Sequence, residues 1–356
     1  MSGGLRLGMT SLEPWDEVWR RNQHLASRLV GNGTAASLIF VEPPRGGLAV
    51  RARRRSPLPG IEVVTPPLLV PRRYGGHRLV ARWLRRALSG VELLWINDPV
   101  AGTGALRHGV PAVYDVTDDW REMPQSVAER ARIVAAEDVL ARRARTVVCS
   151  DVLAQRWTDR YGVRPGVVHN GVDVAAISSA RPITPAGPPP HAVYVGTLHE
   201  NRLDLDLVLE LAKAWPGTVH LVGPDHLDPA GRARLAGAGV HLPGPVPSGE
   251  VAGWLVAAEV LIAPHLVDDF TLSLDAIKSH EYLATDRPVV ATPSSGFQAL
   301  PATPGLTVAE RAAFVEATVA AAGTGPFTRT VAVDWDQRAA EFAAELTAEF
   351  TATGRP

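Results

Sequence analysis

Residues 271–293, TLSLDAIKSHEYLATDRPVVATP, contain two charged side chains whose spacing suits the binding of a phosphate-bearing ligand. Lys278 and Glu281 are three residues apart and would share one face of a helix. The ammonium group could pair with a phosphate, and the carboxylate could accept two hydrogen bonds from a vicinal diol such as a ribose. This pair predicts a nucleoside diphosphate site. The alternative is a solvated helix pair, which would contribute only about 0.2–0.5 kcal/mol.

The same stretch also predicts the elements that must hold these side chains. Its first half lacks proline and glycine and has apolar residues at helical spacing, and Thr271, Ser273 and Asp275 are suitable N-cap residues. Free N–H groups at a helix start attract anions, so Thr271 and Ser273 join the predicted site. Residues 287–292 combine a proline with β-branched residues and predict a buried strand. We expect one helix, a tight loop and a strand.

A glycine loop provides a second candidate contact for phosphate. Gly196 and Thr197 follow a predicted strand at 192–195 and precede a predicted helix at 203–214. A backbone without a Cβ atom can approach a phosphate closely, and Arg202 is the nearest guanidinium. A simple turn glycine is the alternative interpretation.

Two adjacent carboxylates, Asp118 and Asp119, follow the predicted strand 112–116. A carboxylate at a strand end could take a proton from a bound hydroxyl group. Adjacent side chains point in different directions, so we expect only one of them to act, and Asp119 is preferred. Alternatively, Asp119 caps the start of the next helix.

Predicted strands alternate with predicted helices along the whole chain. They begin with a strand at 5–9 and a helix at 16–30, and the pattern restarts at residue 192 after a run with five prolines in the nine residues 182–190. This alternation is typical of doubly wound parallel sheets, in which ligands bind at the carboxyl ends of strands. A length of 356 residues suits two such domains.

The two halves of the chain carry opposite charge. Residues 1–189 have 26 arginines and 17 acids, whereas residues 190–356 have 10 basic and 20 acidic residues. Residues 45–88 hold eleven of the arginines and one acid, Glu62, and residues 78–88 predict a basic amphipathic helix. Such a helix could lie on an anionic membrane, and the alternative is a core-packed helix with a solvated arginine face. No nucleic-acid-binding motif accompanies the charge, so no nucleic acid partner is expected.

The cysteine content and the ends of the sequence point to the cytoplasm. Cys149 is the single cysteine, which excludes an internal disulfide, and no signal sequence or membrane span is recognisable. We expect a cytoplasmic protein with peripheral contact at the inner membrane face. No cluster has metal-ligand spacing, and the Asp-Leu-Asp at 204–206 opens a predicted helix, where acids favour the dipole. We therefore expect no metal and no cofactor.

The run KSHEYLA at 278–284, followed by PVVAT at 288–292, resembles the K-x-x-E-Y-L-A…P-V-V-A-T signature of GT-B-fold glycosyltransferases. The resemblance is greatest to members of family four or to the xanthan-type glucuronosyltransferases. Family four has a further glutamate where this chain has Ser273, and an arginine after the loop glycine where this chain has Thr197. The segment HNGVD at 169–173 is similar to the residues before the interdomain hinge of these enzymes.

The resemblance implies a fold and an activity. It implies an α/β GT-B fold of two Rossmann-like doubly wound domains facing a cleft. Residues 1–175 would bind the acceptor, 176–190 would form a linker, 191–330 would bind the nucleotide sugar, and 331–356 would form a helix that crosses back to the first domain. The protein would transfer a sugar, without a metal ion, from a nucleotide-activated donor to a hydroxyl group of a small-molecule, lipid-linked or glycan acceptor. A UDP-sugar is the preferred donor. The alternatives are a sugar-nucleotide epimerase or phosphorylase and a hinged ligand-binding protein without enzyme activity.

Overall fold

The computed structural model describes residues 4–46, 51–68, 76–329 and 332–352. The chain forms two compact units, Met1–His169 with Trp335–Pro356, and Asn170–Asp334. The division falls before the expected boundary at residue 175. The stretch predicted as a linker, 176–190, belongs to the second unit, and its first residues are helical.

The first unit contains one large sheet. Its elements in chain order are β1 (Leu5–Thr10), α1 (Arg21–Gly31), β2 (Ala35–Val41), β3 (Arg45–Gly46), β4 (Arg53–Leu58), β5 (Ile61–Thr65), β6 (Pro67–Leu68), α2 (Gly76–Ala87), β7 (Leu93–Ile96), α3 (Pro99–Ala105), β8 (Ala112–Val116), α4 (Val127–Arg143), β9 (Arg145–Val148), α5 (Asp151–Tyr161) and β10 (Gly166–Val167). The strand order is β10-β9-β8-β7-β1-β2-β5-β4, and the pairing is parallel except between β4 and β5.

The second unit contains a six-stranded parallel sheet in the order β13-β12-β11-β14-β15-β16. Its elements are α6 (Val174–Ser178), β11 (His191–Val195), α7 (Leu205–Ala214), β12 (Thr218–Val222), α8 (Pro229–Gly237), β13 (His241–Gly244), α9 (Ser248–Ala257), β14 (Val260–Ala263), α10 (Asp269–Ser273), α11 (Ile277–Leu283), β15 (Val289–Ala291), β16 (Leu306–Val308) and α12 (Phe314–Ala321). The last helix, α13 (Trp335–Ala352), belongs to the first unit.

Strands buried on both faces are typical of the parallel pairing that dominates both sheets. Every residue of β7, LLWI, and of β14, VLIA, is buried, because helices cover both faces of a doubly wound sheet. The prediction of two doubly wound, Rossmann-like units is confirmed.

Helix α1 begins later than its sequence pattern predicts. The apolar spacing predicted a helix from residue 16, but α1 begins at Arg21. Arg20 is the N-cap, and its backbone N–H donates to Oε1 of Gln23 at 3.0 Å. This bond, together with the one that Gln23 N donates to the Arg20 carbonyl at 3.0 Å, fixes the helix start at that position.

A buried ion pair connects α1 to the centre of the first sheet. Arg21 on α1 and Asp115 on β8 are 4% and 0% exposed, and Arg21 Nη2 lies 3.1 Å from Asp115 Oδ1. The indole N–H of Trp95 donates to Asp115 Oδ2 at 3.2 Å, and Arg21 Nη1 donates to the carbonyl of His169 at 3.2 Å. These bonds satisfy groups whose burial would otherwise be costly.

The closing helix α13 packs on α1 and on the same sheet. The Trp335 ring stacks on His24 with a centroid separation of 4.7 Å, and Phe342 lies 4.8 Å from Trp95. Asp336 Oδ1 accepts a hydrogen bond from Arg28 Nε at 2.6 Å. The first unit therefore contains residues from both ends of the chain.

Helix α2 has its apolar face buried. Val80 and Leu84 belong to the core of the first unit, whereas Arg82, Arg85 and Arg86 are exposed. This arrangement matches the alternative of a core-packed helix with a solvated arginine face. Of the basic region, residues 47–50 and 69–75 lie outside the described residues. In the part of the chain that the structure describes, no helix is long and apolar enough to span a bilayer.

Three histidines form a row across neighbouring strands of the second sheet. His191 Nδ1 lies 3.1 Å from His220 Nε2, and His220 Nδ1 lies 3.0 Å from His241 Nδ1. Burial, with the charges of His191 and His241, lowers the pKa of His220 to about 4. Burial and the charge of Arg28 likewise lower the pKa of His24 to about 3. Both imidazoles are therefore neutral in the folded protein at neutral pH.

We expect acid to destabilise the protein through these buried histidines. Unfolded histidine has a pKa of about 6.5, so the unfolded chain takes up protons first as the pH falls. The stability is complete above about pH 6.5 and decreases as the pH falls towards 4. His220→Phe should flatten this dependence, measured by thermal unfolding between pH 7 and 4. His108→Phe, at an exposed position, serves as the matched control. An unchanged pH dependence in His220→Phe would contradict the assignment.

Candidate active site

The carboxyl ends of three strands in the second sheet bring the predicted ligand contacts together. Gly196 follows β11, His265 follows β14 and Thr292 follows β15. The chain runs from β11 to β12 on one side, and β14 lies on the other side of β11. The strand order therefore reverses between β11 and β14. Ligands of doubly wound sheets bind at such a reversal, outside the carboxyl ends of the strands.

Lys278 and the Gly196 loop, which were predicted as two separate contacts for phosphate, lie against each other. The Lys278 ammonium lies 4.8 Å from the centroid of the Tyr194 ring, within the range of a cation–π contact. A Cβ atom at position 196 would lie 2.9 Å from Lys278 Nζ and 3.1 Å from the Tyr194 hydroxyl. Gly196 also has a φ of 151°, which L side chains rarely adopt. A glycine is thus required here for the lysine to lie across the loop.

His265 is a site residue that the sequence analysis missed. Its side chain is buried, and Nε2 lies 3.5 Å from the Tyr194 hydroxyl. Burial, together with the charges of Lys278 and Arg202, holds the pKa of His265 well below its ordinary value. The imidazole is therefore neutral beside two cations. Its Nδ1 has no hydrogen-bond partner within the described ranges.

Arg202 brings a guanidinium to the same group of residues. Its guanidinium carbon lies 5.3 Å from the Phe270 ring centroid. Its carbonyl accepts a hydrogen bond from Leu266 N at 2.8 Å, which holds the loop before α7 against the segment after β14. Two cations next to a neutral imidazole give this strand edge a positive potential, which suits an anion such as a diphosphate.

Thr197 contributes backbone to the site. Its carbonyl accepts a hydrogen bond from the Tyr194 hydroxyl at 3.3 Å. The bond fixes the loop that follows β11 and keeps the Tyr194 ring beneath Lys278.

Glu281 lies one turn after Lys278 on α11 and has no hydrogen bond or ion pair with any residue that the structure describes. Burial raises the pKa of Glu281, and the charges of Lys278 and His280 oppose this rise. A recessed carboxylate with both oxygens available can accept two hydrogen bonds from a diol.

The single helix predicted from residue 271 is wrong. Two short helices, α10 and α11, are separated by residues 274–276, where Leu274 and Ala276 have extended backbone. Asp275 lies in this break, where its carboxylate accepts hydrogen bonds from Asn170 N at 2.5 Å and His280 Nε2 at 2.8 Å. Asp275 is held by a residue distant in sequence, which explains why helical spacing did not reveal the break.

Neither Thr271 nor Ser273 is an N-cap, contrary to the prediction. The N-cap of α10 is Asp268, and Thr271 Oγ1 donates to the Leu266 carbonyl at 2.8 Å. Ser273 Oγ donates to the Phe270 carbonyl at 2.6 Å, and both side chains are fully buried. Asp275 is likewise not an N-cap, because α11 begins after Ala276. The hydroxyls of Thr271 and Ser273 stabilise α10 itself.

Ser295 is a second residue that the sequence analysis missed. It follows β15, and its φ of 53° lies in the left-handed region that a serine seldom occupies. Its N–H donates to the Thr271 carbonyl at 2.9 Å, and its carbonyl accepts from Ala276 N at 3.2 Å. Its hydroxyl is buried without a partner among the described residues. Strained residues of this kind cluster at ligand sites.

The two carboxylates predicted for proton transfer follow β8 in the first unit. Asp119 is 3% exposed, and its Oδ2 accepts a hydrogen bond from Arg156 Nη1 at 3.0 Å. Its Oδ1 accepts from Arg121 N at 3.2 Å, so Asp119 fixes the turn after the strand. Asp118 is only partly buried. Of the two, Asp118 is the more accessible to a substrate.

No metal site is recognisable in the described ranges. They contain no group of three or more His, Cys, Asp or Glu side chains arranged for a metal ion. The Asp-Leu-Asp sequence at 204–206 has structural contacts: Asp204 caps α7 and pairs with Arg311, and Asp206 pairs with Arg234.

Comparison with protein families gives one match for each half of the chain. Residues 18–176 match the model described as Glycosyltransferase Family 4. Residues 189–323 match the model described as Glycosyl transferases group 1. A sequence search of curated proteins finds no match.

Solved structures with the same fold span the whole chain. Sucrose-phosphate synthase from Thermosynechococcus elongatus has a TM-score of 0.69 at 16% identity, covering 98% of this chain and 97% of the other. HepE from Anabaena, solved with UDP and glucose, has a TM-score of 0.62 at 13% identity, covering 98% and 95%. Trehalose 6-phosphate synthase from Burkholderia multivorans has a TM-score of 0.59 at 13% identity, covering 98% of this chain and 96% of the other. At these identities the likeness concerns the fold.

We expect Lys278→Ala and Glu281→Gln each to weaken the binding of a nucleoside diphosphate. Loss of a hydrogen bond to a charged group costs about 1.5–3 kcal/mol, or roughly a 10- to 150-fold rise in Kd. Isothermal titration with UDP measures this. Lys213→Ala, which changes the other lysine of the chain at an exposed position of α7, should leave Kd unchanged. Wild-type affinity in both site variants, with intact folding, would exclude this site.

Proposed function

We propose that this chain, which belongs to the GT-B-fold glycosyltransferases, transfers a sugar from a UDP-sugar to a hydroxyl group of an acceptor. The observation that carries the proposal is the arrangement on α11, where Lys278 crosses the Gly196 loop and Glu281 has no protein partner among the described residues. A ribose diol would donate hydrogen bonds to the Glu281 carboxylate. The diphosphate would contact Lys278, Arg202 and the Gly196–Thr197 backbone. UDP is the preferred nucleotide because HepE, a protein of the same fold, was solved with UDP.

The cations at this site would act on the leaving group. As the bond between the sugar and the diphosphate breaks, negative charge grows on the diphosphate oxygen, and fixed positive charges lower the energy of that state. Lys278 and Arg202 supply these charges. A neutral His265 adds no third charge and can donate or accept a hydrogen bond. In this proposal the second unit binds the donor and the first unit binds the acceptor.

Asp118 is the proposed base for the acceptor hydroxyl, in preference to Asp119. The acceptor oxygen bonds to the sugar carbon, its proton passes to the carboxylate, and the nucleoside diphosphate leaves with the electron pair of the broken bond. A base must reach its substrate, and Asp118 is more accessible than Asp119. Asp119 is a positioning residue that holds the turn through Arg121 N and Arg156.

The test is release of nucleoside diphosphate from a panel of nucleotide sugars, with and without hydroxyl acceptors. We expect turnover of a UDP-sugar that persists in EDTA, because the proposal uses protein cations for the diphosphate. Asp118→Asn should lower kcat about 100-fold with unchanged donor affinity. Asp119→Asn should mainly lower the melting temperature, because it removes the charge of a buried carboxylate that holds Arg156 and the N–H of Arg121.

Other outcomes would favour the alternatives. A change in the donor sugar alone would indicate an epimerase, phosphate-dependent turnover a phosphorylase, and donor binding without turnover a hinged binding protein. Normal kcat in Asp118→Asn would move the base elsewhere.

The arginine face of α2 supports a second proposal, contact with an anionic membrane. Arg82, Arg85 and Arg86 are exposed on one helix whose apolar side is buried, so the attraction would be electrostatic. Each arginine near such a surface contributes about 1 kcal/mol, and added salt weakens this attraction.

The membrane proposal predicts co-sedimentation with anionic liposomes at low salt. Replacement of Arg82, Arg85 and Arg86 by glutamate should abolish it without unfolding the protein. Neutral liposomes serve as the control, and equal recovery of wild type from both supernatants would favour an acceptor in solution.

A further inference from the structure

A cavity of about 220 Å³ lies in the first unit, between α2, α3, α4 and the loop after β8. Most of its walls are apolar. The side chains that define it come from these three helices and this loop: Val80, Leu84, Val100, Trp120, Met123 and Ile133.

The charged and amide side chains in the cavity wall have protein partners. Asp98 accepts a hydrogen bond from Ala101 N at 2.9 Å, and Glu129 pairs with Arg132. Gln125 donates to the Trp120 carbonyl. A sugar or sugar phosphate placed here would exchange its hydrogen bonds to water for contacts with carbon atoms, which is unfavourable. The wall chemistry therefore selects an apolar group.

The cavity adjoins the loop that carries the proposed base. Trp120 lines the cavity and lies two positions after Asp118 in the sequence. The buried indole N–H of Trp120 has no hydrogen-bond partner in the described part of the chain. The occupant would fill the apolar space beside this ring.

The volume limits the size of the occupant. An apolar protein cavity of about 150 Å³ holds one benzene molecule. A cavity of about 220 Å³ therefore holds one substituted ring or a short branched alkyl group.

We propose that this cavity binds the apolar part of the acceptor, a single substituted aromatic ring or a short branched alkyl group that carries the reactive hydroxyl. The proposal rests on the proposed glycosyl transfer and deepens it by naming the acceptor class. The products named for two structural neighbours, sucrose phosphate and trehalose 6-phosphate, are polar. The apolar wall next to the base loop favours an acceptor of different chemistry.

Titration with a series of 4-alkylphenols tests the cavity directly. Each added methylene should tighten binding about fourfold until the cavity is full, after which binding weakens. Ala101→Phe, which fills the cavity from α3, should weaken binding at least tenfold. Ala135→Phe, at an exposed position of α4, is the matched control and should bind like wild type. Ile133→Ala enlarges the cavity and should shift the preferred alkyl group to a longer one.

Activity assays separate failure of this inference from failure of the proposed function. Both the inference and the proposed function are supported if the protein transfers a sugar from a UDP-sugar to 4-alkylphenols and Ala101→Phe loses this transfer but still binds the donor. Transfer to sugar phosphates but to no phenol overturns the inference and leaves the transferase intact. Phenol affinity that is independent of alkyl length and of Ala101→Phe also overturns the inference. Phenol binding without binding or turnover of any nucleotide sugar overturns the proposed function, and the acceptor assignment falls with it.

Discussion

The buried ion pair between Arg21 and Asp115 is the interaction on which the first unit depends. It joins α1 to β8, and its hydrogen bonds extend to Trp95 on β7 and to the carbonyl of His169, the last residue of the unit before the chain enters the second. Desolvation of the two charges offsets much of the Coulomb energy of a buried ion pair. Removal of one partner, however, leaves an unpaired buried charge and lowers the stability by about 3–5 kcal/mol. The position of the strand ends that carry Asp98, Asp118 and Asp119 follows from this anchor, because β7 and β8 are the strands it fixes.

In the second unit the corresponding constraint is steric. Position 196 has a φ of 151° that favours glycine, Lys278 lies across the space a Cβ atom would take, and Tyr194 beneath it supplies a ring face that tolerates the charge. The charge of Lys278 also lowers the pKa of His265 and so helps to keep its imidazole neutral. One glycine, one tyrosine and one lysine thus determine both the space and the electrostatic potential at this edge of the sheet.

Local patterns predicted the two Rossmann-like units and the placement of Lys278 and Glu281 on one helix. Strands buried on both faces appear in the sequence as short apolar runs, so their order could be recognised. The break between α10 and α11 could not, because Asp275 is held by Asn170, 105 residues away. His265 was missed since a lone histidine after a strand has no distinctive spacing. The turn role of Asp119 depends on Arg156, which a reader of the sequence cannot place beside it.

The return of α13 to the first unit has a consequence for synthesis on the ribosome. Residues 170–334 form a contiguous unit that can fold as soon as they emerge, whereas the first unit lacks Trp335 and Phe342 until the last helix has been made. Its residues are translated first, but its core is completed last. During that interval Trp95 and His24 have no α13 to cover them, and exposed apolar surface of this kind is what chaperones bind and what drives misassembly.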